Sequence, residues 1–327
     1  MKKALKFVYA GLLGGALLLS GCSETTGSKE EVVIGVTQIV EHPSLDAAFK
    51  GFKKALEENG YKEGENVKYD VQIAQGEMSN SQTIATNFVS NGVDLIFANS
   101  TPSAQSALKA TTDIPIVFTS VTDPVGAELV AAFDQPGENI TGTSDTHPEA
   151  ISSTVNFMLK DIGAKNIGVI YNAGEQNSEV QVEEVKKIVE AGGGTLVEVS
   201  VSTSAEVKQA AESLVGRVDA IYIPTDNVVV SAFESVVSVA NDQDIPLFAG
   251  ELDSMKRGAL AASGFSYEDL GYETGLMAVA ILKGEQTAAD ISVEYPKNFK
   301  LVINQEAAAE QGVEIDASWE AEIYEGE

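Results

Sequence analysis

The sequence predicts an α/β protein of two doubly wound, Rossmann-like lobes with parallel sheets, joined by a hinge of three chain crossings. Alternation is the first reason. Short apolar runs, of the kind a strand buried on both faces needs, take turns with stretches of helical periodicity along most of the chain. The second reason is an internal echo. Val93-Asp94-Leu95-Ile96-Phe97 returns as Val218-Asp219-Ala220-Ile221-Tyr222, and Asp113-Ile114-Pro115-Ile116-Val117-Phe118 returns, one residue shorter, as Asp244-Ile245-Pro246-Leu247-Phe248. In each copy the apolar run stops at small polar residues that open a helix: Asn99, Ser100, Thr101 and Thr119, Ser120 first, then Thr225, Asp226, Asn227 and Glu251. Ligands of open parallel sheets sit outside the carboxyl ends of the strands, so two such sheets facing each other enclose a binding cleft.

Each element follows from local pattern. Residues 32–37 form a buried strand ending in Gln38, and Ser44 and Asp46 open a helix whose Leu45, Ala48, Phe49, Phe52 and Leu56 share one face before Gly60 stops it. Strand 67–74, helix 79–90, strand 93–98, helix 103–110 and strand 114–118 complete the first alternation as right-handed βαβ units. From 119 to 147 turn residues take over, among them Asp123-Pro124, Gln135-Pro136-Gly137, Asn139, Gly142 and His147-Pro148, and mark a crossing. The second alternation runs through helix 148–162, strand 167–171, helix 178–191, strand 195–200, helix 205–214, strand 218–223, helix 228–241 and strand 246–248. A strand at 259–265 returns toward the first lobe, a helix at 267–282 ends at Lys283-Gly284, and strands at 291–294 and 300–303 lie near the hinge or an edge. Crossings at 143–146, 263–266 and 285–291 divide the chain into one lobe of 32–143 plus about 264–285 and another of 144–263 plus about 286–327. The length, 327 residues, suits two lobes of roughly 100–150 residues each.

Composition narrows the partners. With 44% hydrophobic and 21% charged residues the chain is globular, and its net charge of −28 repels nucleic acid and anionic lipid surfaces. The first 21 residues have the layout of an export signal: basic Lys2, Lys3 and Lys6, an apolar run from Phe7 to Leu19, and small residues before Cys22. Leu19-Ser20-Gly21-Cys22 resembles a bacterial lipobox, which implies cleavage before Cys22 and a diacylglycerol on its thiol. Cys22 is the sole cysteine, so no thiol remains for a disulfide, a metal or a nucleophile. Residues 22–31 read as a lipidated, flexible tether, and the protein is expected to work outside the plasma membrane, anchored to it by that lipid.

The motifs of catalysis do not occur: there is no G-x-x-x-x-G-K-[ST] loop, H-E-x-x-H, G-x-S-x-G or Cys/His metal spacing. No enzyme, cofactor or metal is expected. His42 and His147, each before a proline, read as turn residues, and Gly192-Gly193-Gly194 as a helix stop. Binding is better supported. Gln38, Asn99, Ser100, Thr101, Thr119, Ser120, Asn172, Asn177, Ser178, Thr225 and Asn227 gather hydroxyls and amides at strand ends, beside the carboxylates of Asp226 and Glu251. Uncharged donors at helix N-termini, Ser100-Thr101 and Asn177-Ser178, suit a carboxylate, and Asp226 or Glu251 suits an ammonium, which together describe a zwitterion site. The sole Trp319 lies away from the strand ends, which disfavours a sugar; Tyr171, Phe265 and Tyr267 can line a pocket or fill the core.

Val121-Thr122-Asp123-Pro124-Val125-Gly126-Ala127, Asn139-Ile140-Thr141-Gly142 and Tyr267-Glu268-Asp269-Leu270-Gly271 resemble the substrate-binding lipoproteins of ABC importers in the tryptophan/tyrosine-binding family. The likeness spans about Val32 to Ile303. It implies a type I periplasmic-binding-protein fold, an aromatic amino acid as ligand, and an ABC permease with its ATPase as partner. Asp123 either touches that ligand or pins the turn before Pro124. The alternatives left open are a ligand-sensing lipoprotein that signals to a membrane receptor, and a receptor for another small solute such as a sugar or peptide.

Overall fold

Hydrogen bonding sorts the strands of the computed structural model, which describes residues 31–325, into two sheets. The first is parallel throughout: β1 (Val32–Gln38), β2 (Val67–Ile73), β3 (Leu95–Asn99), β4 (Ile116–Val121) and β5 (Ile140–Ser144), in the order β2-β1-β3-β4-β5. The second holds β6 (Asn166–Tyr171), β7 (Thr195–Ser200), β8 (Ala220–Ile223), β9 (Leu247–Ala249), β10 (Ala261–Gly264), β11 (Lys300–Asn304) and β12 (Glu322–Tyr324). Its order is β12-β11-β10-β9-β8-β6-β7, and only β10 and β11 run antiparallel. The two orders correspond strand for strand, β7-β6-β8-β9-β10 against β2-β1-β3-β4-β5. The echoed sequences fall on β3 and β4, then on β8 and β9, at equivalent places in the two sheets. Both sheets reverse direction beside their first strand, which places a switch point at β1/β3 and another at β6/β8.

Ten α-helices connect the strands among the described residues: α1 (Pro43–Glu58), α2 (Met78–Asn91), α3 (Thr101–Ala110), α4 (Ala150–Lys160), α5 (Gln176–Ala191), α6 (Val207–Leu214), α7 (Asn227–Ser231), α8 (Phe233–Asp242), α9 (Tyr267–Leu282) and α10 (Gln305–Glu310). The expected helix 228–241 is two helices. Ala232 leaves helical geometry (φ −119°) after the run Val228-Val229-Val230, three β-branched residues held helical by burial rather than propensity.

Each sheet is covered on both faces. Ile34, Phe52, Leu95 and Phe97 cluster on one side of the first, and Phe88, Ile96, Phe118 and Ile140 on the other. The second has Val155, Ile167, Val185 and Phe248 on one side, with Leu214, Ile221, Phe233 and Leu247 on the other. Helix α9, from late in the chain, completes the first lobe by packing on α1. The two helices meet closely at Gly271, where a Cβ would stand 1.8 Å from the carbonyl oxygen of Ala48.

Two further expectations need correction. The turn-rich stretch contains a strand, β5, because Gly142 is there for closeness and not for a turn: its Cβ would lie 2.0 Å from the carbonyl oxygen of Phe118 on β4. Residues 291–294 form no strand; a single bridge joins Glu294 to Thr143, with Ser144 N donating to Glu294 O at 2.9 Å. Val293 is buried in the same cluster as Phe118 and Ile140. The signal, the tether and Cys22 lie outside the described residues.

Candidate ligand site between the lobes

The connections that leave the carboxyl ends of the strands converge on one small enclosed cavity. Ser44 and Leu45 come from α1 after β1, Ser120 from β4, and Asp145 from just beyond β5. The second lobe contributes Asn177 from α5, Thr225 and Asn227 after β8, and Glu251 after β9, while Tyr267 follows β10. The centre of a water-sized sphere has only about 10 Å³ to move in. Little more than one water fits while the lobes stand as they do.

Of the strand-end residues singled out in the sequence, Ser120, Asn177, Thr225, Asn227 and Glu251 line this cavity. The others brace its walls or serve turns and caps outside it. Asn99, fully buried, donates to Gln38 Oε1 (3.1 Å) and Leu45 O (2.7 Å) and accepts from Ser120 Oγ (2.8 Å), which fixes the mouth of α1 to the ends of three strands. Gln38 also donates to Asp46, and Thr119 pairs with Thr143 at 3.0 Å. Ser100 caps α3 by accepting from Ser103 N, and the Thr101 hydroxyl is buried without a partner, away from the cavity lining. Asn172 closes a turn by accepting from Gly174 N. Asp123 likewise accepts from Gly126 N at 2.8 Å, the turn role.

The two carboxylates expected to meet an ammonium both hold helix starts. Asp226 accepts from Asn172 N (2.5 Å), Ser178 Oγ (2.6 Å) and Val229 N (2.8 Å), so both its oxygens serve the protein. Glu251 accepts from Asp253 N, Ser254 N and Ser254 Oγ at a 3-10 turn, Asp253–Arg257. Sequence reasoning could see their charge but not these bonds.

Glu175, which the sequence did not mark, is buried beside Asp226 and accepts from Asn227 Nδ2 and Asn177 Nδ2. Burial first, then the Asp226 charge, pushes its carboxyl up to about 7. Asp226 is raised too, by burial, against the hydrogen bonds to its charged form. Burial beside each other thus holds both carboxyls above their ordinary range.

His42, read from the sequence as a turn residue, and Asp145, which the sequence did not mark, also line the cavity. His42 precedes α1, and its Nε2 stands 3.5 Å from Asn227 Oδ1 across the cleft; burial lowers its pKa to about 4, so the ring is neutral. His147 instead stacks on Phe299. Asp145 receives the Tyr267 hydroxyl on Oδ2 at 2.8 Å. A second bond across the cleft joins Gln181 Nε2 to Thr122 Oγ1 at 3.5 Å. Four polar atoms of the lining have no partner: Asp145 Oδ1, Asn177 Oδ1, His42 Nδ1 and Ser44 Oγ. Native interiors pair nearly all such atoms, and four together mark a place for a polar guest. A larger hollow, with Phe265, Tyr272, Tyr295 and Lys297, lies along the crossings, and no unpartnered buried side-chain atom faces it. Among the described residues no cluster of His, Cys, Asp and Glu is disposed to hold a metal ion.

Two α/β lobes with a closed polar cavity at their facing strand ends make a solute-binding protein of the type I periplasmic-binding-protein fold. Residues 33–322 match the family described as ABC transporter substrate binding protein, and the chain belongs to that family. It is 46% identical, over 93% of its length and 91% of the relative's, to a tyrosine-binding protein of Clostridioides difficile. Among solved structures it is similar to a Streptococcus pneumoniae ABC domain in complex with L-Trp, with a TM-score of 0.83 at 37% identity, over 88% of this chain and 97% of that one. It is also similar to the ligand-free, open structure of a Clostridium difficile substrate binding protein with adhesive properties. There the TM-score is 0.66 at 43% identity, over 90% of this chain and 100% of that one. Substrate-binding proteins of ABC transporters act outside the cytoplasm.

Proposed function

We propose that the protein captures an aromatic amino acid between its lobes and delivers it to an ABC permease with its ATPase, acting as a receptor and not as an enzyme. The four unpartnered polar atoms on residues lining one small cavity carry this reading, because a buried polar group without a partner is costly and the charged end of a zwitterion, admitted as the lobes part, would satisfy them. The relatives named for tyrosine and L-Trp support an aromatic side chain. Lobe arrangement supports a closed state: the fit is better to the L-Trp complex than to the open relative, although the open relative is closer in sequence. Hinge closure buries the ligand, and the permease reads the closed form. Lipid on Cys22 would hold the receptor at the membrane, and Cys22→Ser should release it into the medium.

The test is thermal melting of the purified protein against the twenty amino acids, dipeptides and common sugars. A ligand at a hundred times its dissociation constant adds about 2.7 kcal/mol of stability. A raised midpoint with tryptophan, tyrosine or phenylalanine is expected. A shift with sugars alone, or with nothing, overturns the reading.

A further inference from the structure

We propose that the enclosed cavity recognises a primary ammonium group and that Asp145 is the carboxylate that receives it. This deepens the amino-acid reading above and rests on it.

The unpartnered side-chain atoms share one chemical character. Asn177 Nδ2 donates to Glu175 Oε2 (3.2 Å), Ser178 Oγ (3.3 Å) and Thr225 O (3.1 Å), which orients the amide and leaves Oδ1 as the free acceptor. Asn227 is oriented the same way, because its Nδ2 donates to Glu175, so its Oδ1 is an acceptor toward His42. The one hydrogen of the neutral His42 ring therefore sits on Nε2, and Nδ1 is left with a lone pair. Asp145 Oδ1 is an acceptor by nature. Three acceptors, on residues 3%, 8% and 8% exposed, belong to the lining of a single cavity. An ammonium carries three N–H donors, and the Ser44 hydroxyl can turn to serve as donor or acceptor.

Charge points the same way. Among the described residues lining the cavity there is no lysine or arginine, and Asp145 and Glu251 are the carboxylates. Glu251 is closed off by the amides and hydroxyl of its own turn, whereas Asp145 has Oδ2 held by Tyr267 and Oδ1 without a hydrogen bond of good geometry, the Thr122 hydroxyl standing near the carboxylate. Tyr267 is a positioning residue: its hydroxyl fixes the carboxylate, and its ring, stacked on Phe265 with centroids 5.4 Å apart, forms an aromatic wall beside it. A ligand carboxylate meets no cationic side chain here. Recognition is therefore centred on the amine, and decarboxylated aromatic amines belong to the ligand class together with the amino acids.

Isothermal titration of the purified protein tests this with L-tryptophan, L-tyrosine, tryptamine, tyramine and indole-3-lactate, which replaces the amine by a hydroxyl. Tryptamine should bind within about tenfold of tryptophan, and indole-3-lactate about 100-fold more weakly. Asp145→Asn should weaken every amine by about 10- to 100-fold, with folding checked by circular dichroism. Tyr267→Phe should cost less at neutral pH but make affinity fall off at a higher pH than in the wild type, because Asp145 then protonates more readily. Indole-3-lactate binding as tightly as tryptophan, or an unchanged constant for folded Asp145→Asn, overturns the assignment while leaving the amino-acid reading intact. Binding of the amines without the amino acids does the reverse. If none of the amines or amino acids binds, both are overturned.

Discussion

Tyr267 and Asp145, 122 positions apart in the chain, meet at the lining of the cavity, the phenol donating to the carboxylate across 2.8 Å. Asp145 follows β5 and Tyr267 opens α9 just after β10, and Thr143 of β5 also pairs with Thr274 of α9 at 2.7 Å, so the two segments are tied twice.

Removing the Tyr267 tie has a pH signature. Burial raises the Asp145 carboxyl, and the Tyr267 hydrogen bond opposes this by favouring the charged form. A raised acid contributes stability that is present below its unfolded pKa and lost as pH rises through the folded value. Tyr267→Phe raises that value further, so the loss grows with pH. Urea unfolding should show a deficit of about 1–2 kcal/mol at neutral pH and little at strongly acidic pH.

Asp226 is predicted to matter for folding more than for the ligand. Asp226→Ala strands Asn172 N, Ser178 Oγ and Val229 N without their acceptor in a fully buried place. The unfolding free energy should fall by about 3 kcal/mol. A larger loss in ligand affinity than in stability, compared by titration and denaturation, would count against this.

Glu175 and His42 should cancel each other's pH dependence. Glu175 titrates at about 7 in the folded chain against 4.5 ordinarily, so its contribution to stability is lost as pH rises through that range. His42 titrates at about 4 against 6.5, and its contribution, present above 6.5, is lost as pH falls. Between 4.5 and 6.5 the folded chain keeps a proton on Glu175 that the unfolded chain carries on His42 instead, and the net proton count barely changes. The two contributions should cancel there, leaving the slope to the other raised carboxyls, among them Asp145 and Asp226. Relative to the wild type, Glu175→Gln should make stability rise with pH and His42→Gln make it fall, each by at most about 1.4 kcal/mol per pH unit.

Gly271→Ala sets propensity against space. Alanine is the better helix former by about 1 kcal/mol, yet its Cβ would lie 1.8 Å from a backbone oxygen of α1, which no side-chain rotation relieves. The steric term wins. We expect a net loss of about 1–3 kcal/mol, read as a lower melting midpoint.

Where local signals agreed, the sequence was legible. Helix α9 was expected at 267–282 and is found there, because Ser266 caps it, accepting from Asp269 N, and Lys283-Gly284 ends it. Strand β5 was hidden because Gly142 signals a turn locally, while its reason, the nearness of Phe118, is tertiary. The same holds for the site. Asn177 and Asn227 stood out as polar residues at strand ends, but Asp145 lay in apparent turn sequence, and only the fold brings Tyr267 to it. Asp226 and Glu251 looked available because a sequence displays charge and conceals the bonds already made to it.

The first lobe borrows its last helix from the far end of the chain: Met277 and Val279 of α9 fill the same cluster as Ile34, Phe52 and Phe97. A chain that emerges amino end first must therefore carry an uncovered apolar face on α1 until residue 282 has followed. The first lobe thus closes its core only with a helix that lies more than two hundred residues beyond the one it covers.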